Sequence, residues 1–362
     1  MISSDNSANI PGELVVQKLL DACPVSVLVI NSGWKVSFAN GLAMKAFSRD
    51  KEPIQGKRLS EVLRDPGLHA AFRVALENGL SEDLRMEFAT REKRIYDVSV
   101  APLKISNEDL AIGFFRDITQ LERLETARQE FLSNISHELR TPLTSILAFV
   151  ETLEDGAVDD AENNRRFLNV IRRNADRMKM LIDDILELSF IESGKVSIDP
   201  TDIEVRSKVD EIFANLVSKS TKRSVVLIND VVQGSKVYAD SIRLDQMLTN
   251  LIDNAIKFNK AGGSVRVSFE KGPGRNIICV ADTGEGIVAD HLDRIFERFY
   301  RGDRARSREI GGTGLGLAIV KHLARLHGGE VSVSSELTVG STFRLEFPLA
   351  KTKSSTAESA VL

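Results

Sequence analysis

Four short stretches of this 362-residue chain carry side chains whose types and spacing suit chemistry. "SNISHELRTPL", 133–143, sets His137 beside Glu138, with Arg140 and Thr141 three and four residues on. Helical geometry puts residue 137 about 200° from both 135 and 139. Ile135 and Leu139 continue an apolar stripe, so His137 points outward, with Arg140 and Thr141 on its face. Glu138 is placed to polarise the imidazole, and Pro142 removes a backbone hydrogen bond and is expected to bend the helix just after it. An exposed histidine, a carboxylate and a bend suit a nucleophile kept accessible.

The second stretch, "NLIDNAIKF", 250–258, aligns Asn250 and Asn254 on one helical face with Lys257 a turn further. Two amide oxygens and a cation suit hydrated Mg²⁺ and the phosphates it carries. The third, "ICVADTGEGI", ends a strand on Asp282, ahead of Gly284 and Gly286. A strand-end carboxylate accepts an amine hydrogen bond, and glycines admit a closely approaching ligand. The fourth, "GGTGLGLAIV", 311–320, opens a helix through Gly311, Gly312, Gly314 and Gly316, where backbone N–H groups bind phosphate. "GLGLA" also fits a dinucleotide fingerprint, but the polar "RGDRARSREI" precedes it where that fingerprint requires a strand. No P-loop motif is present.

The elements that must hold these groups are set by periodicity. Residues 14–118 give a strand pair turned at Asn31-Ser32-Gly33, the helix "GLHAAFRVALENG", and strands at "LRMEFAT", "RIYDVSVAPL" and "LAIGFFRDI". That pattern predicts an α+β sensor-sized domain. From Ile118 to Glu154 only Pro142 interrupts a helical pattern carrying Leu132, Ile135, Leu139, Leu143, Ile146, Val150 and Leu153. After the polar "EDGAVDDAENN", Phe167, Ile171, Asn174, Met178, Leu181, Ile185 and Leu188 alternate by four and three. This heptad stripe predicts a helical hairpin that pairs with its own copy into a four-helix bundle, with Asn174 setting register. Residues 201–350 then alternate helices and strands as a second α+β domain, and 351–362 reads as a disordered tail.

Composition narrows the function. Apolar residues make up 42% of the chain and charged ones 28%, as in a soluble globular protein. A net charge of −4 gives no reason to expect a nucleic-acid partner. Cys23 and Cys279 lie far apart and match neither a disulfide framework nor a metal site. No apolar run is long enough to span a membrane and no signal peptide opens the chain, so, if Met1 is the true start, the expected location is cytoplasmic.

Taken in order, "SHELRTPL", "NLIDNAIKF", "DTGEGI", "IFERFYRGD" and "GGTGLGLAIVK" resemble the phosphoacceptor, N, first glycine, F and second glycine boxes of bacterial sensor histidine kinases. The resemblance covers roughly residues 119–350. It implies an ATP-dependent protein-histidine kinase acting as a homodimer. His137 is then the phosphoacceptor, Glu138 its acid/base partner, and Thr141 helps position water during dephosphorylation of the regulator. Asn250 and Asn254 serve Mg²⁺, Lys257 the phosphates, Phe258 the adenine pocket and Asp282 the adenine amine. Gly284 and Gly286 admit the nucleotide, while Gly312, Gly314 and Gly316 shape the lid and phosphate site. The partner implied is a response regulator's receiver domain.

Residues 14–118 resemble a PAS domain, with "RDIT" at 116–119 as its exit into a signalling helix. The implied organisation is a PAS-like sensor (14–118), a signalling helix with dimerisation and phosphotransfer hairpin (119–194), and an α/β-sandwich ATP-binding domain of the histidine kinase, gyrase and chaperone type (201–350). "LERLETARQEFLSNISHELRTPL" is similar to phosphate-regulon sensor kinases, whose membrane segments this sequence lacks. His69 is the one candidate haem ligand in the PAS-like part. It reads better as an exposed helical histidine, so no chromophore is expected. An ATPase of the gyrase or chaperone kind would have no use for His137 beside Glu138, and a pure scaffold would not need Asn254, Asp282 and the lid glycines.

Overall fold

In the computed structural model, residues 18–48, 52–89, 93–105, 108–160, 162–302 and 312–349 are described. The expected tail, Gly311 and most of "RGDRARSREI" lie outside them. The chain divides into two compact units, Met1–Glu130 and Phe131–Leu362.

The first unit is a five-stranded antiparallel sheet in the order β2-β1-β5-β4-β3. Its strands are β1 (Ser26–Asn31), β2 (Val36–Ala39), β3 (Glu82–Ala89), β4 (Lys93–Ile105) and β5 (Glu108–Asp117). The Asn31 side chain closes the first turn by accepting from the N–H groups of Gly33 and Lys35. Helices α1 (Gly41–Phe47), α2 (Leu59–Val62) and α3 (Pro66–Arg73) lie between β2 and β3 in the chain. Phe47 meets Phe115 edge-on with centroids 5.0 Å apart and tilts against Tyr96 at 5.4 Å, and Phe72 is fully buried in the same cluster. A methyl group on Gly113 would sit 2.7 Å from the Phe72 ring, so aromatic side chains fill the core to the backbone. His69 differs from expectation. It is half-buried, bonded through Nε2 to the Leu63 carbonyl at 3.0 Å, and stacked on Trp34 at 5.9 Å. Stacking on an aromatic face and a backbone bond account for a histidine there without a ligand.

At the exit "RDIT", side chains fix the start of the long helix. Thr119 donates its N–H to Asp117 Oδ1 at 3.0 Å and accepts from the Ile95 N–H at 2.9 Å. Helix α4 then runs Thr119–Thr152, and Pro142 lies within it without ending it. A π-turn at Leu153–Ala157, where Gly156 takes φ 108°, leads toward α5 (Asn163–Glu192). On α5, Leu181 and Leu188 are buried as the heptad stripe predicts. Asn174 donates within its own hairpin, to Ser145 Oγ (3.2 Å) and the Val170 carbonyl.

Beyond the hairpin come β6 (Thr201–Glu204), α6 (Val205–Lys222), β7 (Val226–Asn229), β8 (Lys236–Ala239) and α7 (Ser241–Lys257). After them come β9 (Ser264–Gly272), β10 (Arg275–Asp282), α8 (Ala289–Leu292), α9 (Gly316–Leu326), β11 (Glu330–Glu336) and β12 (Gly340–Pro348). The main sheet has the order β11-β12-β10-β9-β7, antiparallel except for the β7–β9 pair. Leu248, Leu251 and Ile252 of α7 and Ile319 and Leu323 of α9 share one core with Val265, Val280 and Leu345 of the sheet. Helices layered on a sheet match the expected α/β sandwich. The small β6–β8 sheet was not foreseen: each strand has four residues, too few to show alternation.

Candidate active site

His137 is exposed on α4, in the middle of a long helix that fixes its direction. One turn on, the Thr141 hydroxyl donates to the His137 carbonyl at 3.2 Å. Glu138 is half-buried and accepts two guanidinium contacts on one oxygen, Oε2: Arg177 of α5 at 3.2 Å and Arg301 at 3.1 Å. Arg301 also donates to the Gly312 carbonyl and so ties Glu138 to the glycine-rich turn.

Helix α7 starts firmly because Asp240 caps it, accepting from the N–H groups of Ile242 and Arg243. Asn250 and Asn254 are half-buried, and neither side-chain amide has a hydrogen-bond partner among the described residues. Two unpartnered amides on one face fit a hydrated cation and its phosphates. Lys257 is engaged by Asp253 at 2.5 Å, and Lys219 of α6 holds the other Asp253 oxygen at 2.8 Å. Burial works against ionisation of Asp253, but the two lysines hold its carboxyl below the ordinary range. Phe258, at the end of α7, is exposed.

Asp282 closes β10 with both its backbone bonds on Oδ1, from Gly284 N–H (2.8 Å) and Ser341 N–H (3.3 Å). Oδ2 is the oxygen left to accept an amine. Burial pushes this carboxyl up, against the pull of the two N–H groups. The glycines after it are closely approached by backbone of the same chain. A side chain on Gly284 would meet the Phe258 carbonyl at 2.4 Å, and one on Gly286 the Glu336 carbonyl at 2.1 Å. Their immediate neighbours are therefore backbone of the same chain, and they let the Asp282 loop pack tightly.

In the last motif, Gly314 takes φ 75°, and its carbonyl accepts from the Phe299 N–H at 2.9 Å. Phe299 itself holds φ 60°, a strained value for a bulky residue, and packs against Phe131 of α4 at 5.7 Å. A methyl group on Gly316, which opens α9, would sit 3.4 Å from Asn250 Oδ1, so the glycine turn and the amide face are neighbours. Gly312 takes φ 149° with open space around it. Sequence reasoning missed Arg177, Arg301, Asp253, Lys219, Asp184 and Thr313; Arg301, Asp253 and Thr313 lie inside the quoted motifs, but apart from the Asp253–Lys257 pair the contacts that single these residues out join different elements.

These features define a nucleotide-binding sandwich joined to a helical hairpin with an exposed histidine, and comparison with known proteins agrees. Residues 127–194 match the His Kinase A (phospho-acceptor) domain. Residues 239–351 match the histidine kinase-, DNA gyrase B-, and HSP90-like ATPase family, and 20–123 match the PAS fold. The sensor-like histidine kinase SenX3 of Mycobacterium tuberculosis is 35% identical over 286 residues, covering 77% of this chain and 69% of the relative. The sensor protein kinase WalK of Staphylococcus aureus (strain Newman) is 30% identical over 320 residues, and the match spans 87% of this chain but only 52% of that relative. The fold is also that of histidine kinase ThkA, solved in complex with response regulator TrrA (TM-score 0.51, 21% identity, 91% of this chain and 97% of that one).

The chain belongs to the sensor histidine kinase family, and its enzymatic class is that of ATP-dependent histidine kinases. Among the described residues no helix is long and apolar enough to cross a membrane.

Proposed function

We propose that His137 takes the γ-phosphoryl group of ATP and passes it to an aspartate of a response regulator. An imidazole nitrogen of His137 attacks the γ-phosphorus while the bond to the β-phosphate oxygen breaks and ADP departs. Glu138, adjacent in sequence and held by Arg177 and Arg301, accepts the imidazole proton. Asn250, Asn254 and Lys257 would hold the Mg²⁺–phosphate end and Asp282 the adenine amine; a bound Mg²⁺ would supply charge stabilisation at the phosphates. The observation that carries this reading is the Glu138–Arg301 contact, which joins the phosphoacceptor helix to the glycine-rich turn within one unit.

A second copy of the chain is the natural partner of the hairpin. Leu143, Leu147, Leu168 and Leu186 are exposed along α4 and α5, a surface that a four-helix bundle buries. The likeness of residues 121–143 to phosphate-regulon sensor kinases supports a phosphate-response regulator as the acceptor. Thr141, one turn from His137, is assigned to orienting water when the regulator is dephosphorylated. The test is a transfer profile. Chain labelled from ATP should pass its label within seconds to one receiver domain of a panel, and not to that receiver lacking its acceptor aspartate. Label that reaches no receiver would contradict the proposal.

A further inference from the structure

The hairpin helix α5 presents three acidic side chains to the nucleotide-binding half of its unit. Glu187 engages Arg243 and Gln246, and Glu192 engages Arg298 and His322. Of these partners only Arg298 lies in a quoted motif, "IFERFYRGD", and none lies in the glycine-rich turn. Asp184 is different. Its Oδ2 accepts from the Thr313 hydroxyl at 2.6 Å, within the turn that runs from Gly312 through Gly314 into α9.

We propose that the Asp184 carboxylate stands in for a nucleotide phosphate, so that the docked hairpin and a phosphate-bearing nucleotide compete for the same glycine-rich turn. The inference rests on the reading of that turn as the phosphate site. Three features of the turn favour an anion, and Asp184 meets all of them. The Thr313 hydroxyl donates to it. The N-terminal end of the eleven-residue helix α9 lies just beyond, and such ends favour negative charge. Lys257, assigned to the phosphates, lies near enough to favour the ionised carboxylate.

The position is not a comfortable one for an acid. Burial raises the Asp184 carboxyl, and the neighbouring charges of Glu187 and Asp183 raise it further, against the pull of Thr313 and Lys257. Thr313 uses its oxygen to accept from the Leu315 N–H at 3.2 Å, which leaves one hydroxyl proton to give. That proton goes either to Asp184 or to a phosphate oxygen. Adenosine, which carries no phosphate, meets no such competition. Like charges at one low-dielectric site repel, so nucleotide entry and release of the Asp184 contact are linked, each opposing the other.

The experiment is calorimetric titration of the full chain with ADP and, separately, with adenosine, for the parent and for Asp184→Asn and Asp184→Ala. Both variants should bind ADP at least about fivefold more tightly than the parent, the lower end of ordinary coupling between sites. Adenosine affinity should stay within about twofold. Unchanged or weaker ADP binding in both variants would overturn the proposal. Equal tightening toward ADP and adenosine would overturn it as well, because a general loosening of the hairpin would then be the cause. A parent chain that binds neither ligand would overturn the underlying reading of the site, a result distinct from the first two.

Discussion

Glu138 and Arg301 lie 163 positions apart in the sequence and meet at 3.1 Å in the structure. Arg177 reaches the same carboxylate oxygen at 3.2 Å. The group assigned to take the histidine's proton is therefore steered by one arginine from its own hairpin and one from the nucleotide-binding half. Replacing Glu138 with Gln keeps the shape and removes the charge that both guanidinium groups hold. Autophosphorylation should fall by about 10²–10⁴, the usual worth of a general base, while ADP affinity changes little. Quench-flow phosphorylation beside equilibrium ADP binding measures both; full activity in this variant would remove Glu138 from the chemistry.

Asp282 allows binding and stability to be separated. Its carboxyl is raised by burial, so the ionised form weighs against folding, and that cost is relieved as pH falls through the raised value. Asp282→Asn removes the charge yet keeps an Oδ1 for Gly284 and Ser341. The melting temperature should hold or rise, whereas adenine-nucleotide affinity should drop by roughly tenfold or more through loss of a charged acceptor. In the parent, affinity should weaken on acidification from a pH above the ordinary carboxylate range. Unchanged affinity in the variant would refute the adenine role.

Thr141 spends its proton on the His137 carbonyl, so its oxygen lone pairs are what it offers to a water. Thr141→Ala should leave autophosphorylation within about twofold and stability within about 0.5 kcal/mol, as for an exposed helical site. Dephosphorylation of the regulator should slow markedly. Parallel assays of the two reactions decide, and loss of both together would assign Thr141 to the helix alone.

Much of this architecture was legible in the sequence, and the reason is local repetition. The stripe ending in Leu181, Ile185 and Leu188 announces α5, alternation announces β4 and β9, and short apolar runs announce β5 and β10. The Asn250–Asn254–Lys257 spacing needs only helical geometry to be read. Pairings between distant elements leave no such trace. Arg301 on Glu138, Thr313 on Asp184 and Lys219 on Asp253 depend on how whole elements pack. Asn174 shows how a correct stripe can hide its chemistry, since the position was legible while its partner Ser145 was not.

Asn40 is another residue whose importance only packing shows. It is fully buried, and its side chain makes four hydrogen bonds. Oδ1 accepts from Val27 and Ala43 N–H, and Nδ2 donates to the Leu20 and Val25 carbonyls. It caps α1 and ties that helix to β1. Asn40→Ala leaves those backbone groups without this partner and should destabilise the first unit by about 2–4 kcal/mol, measured by urea unfolding. A loss below about 0.5 kcal/mol would mean that water replaces the amide freely.

His137 is proposed to carry the phosphoryl group. The direct measurement is incubation of the full chain with γ-labelled ATP and Mg²⁺, then acid and base treatment, for the parent and for His137→Gln. The label should be lost in acid and kept in base, as a phosphorus–nitrogen bond requires, and should be absent from the variant while ADP binding persists. Label of the same stability persisting in His137→Gln would contradict it.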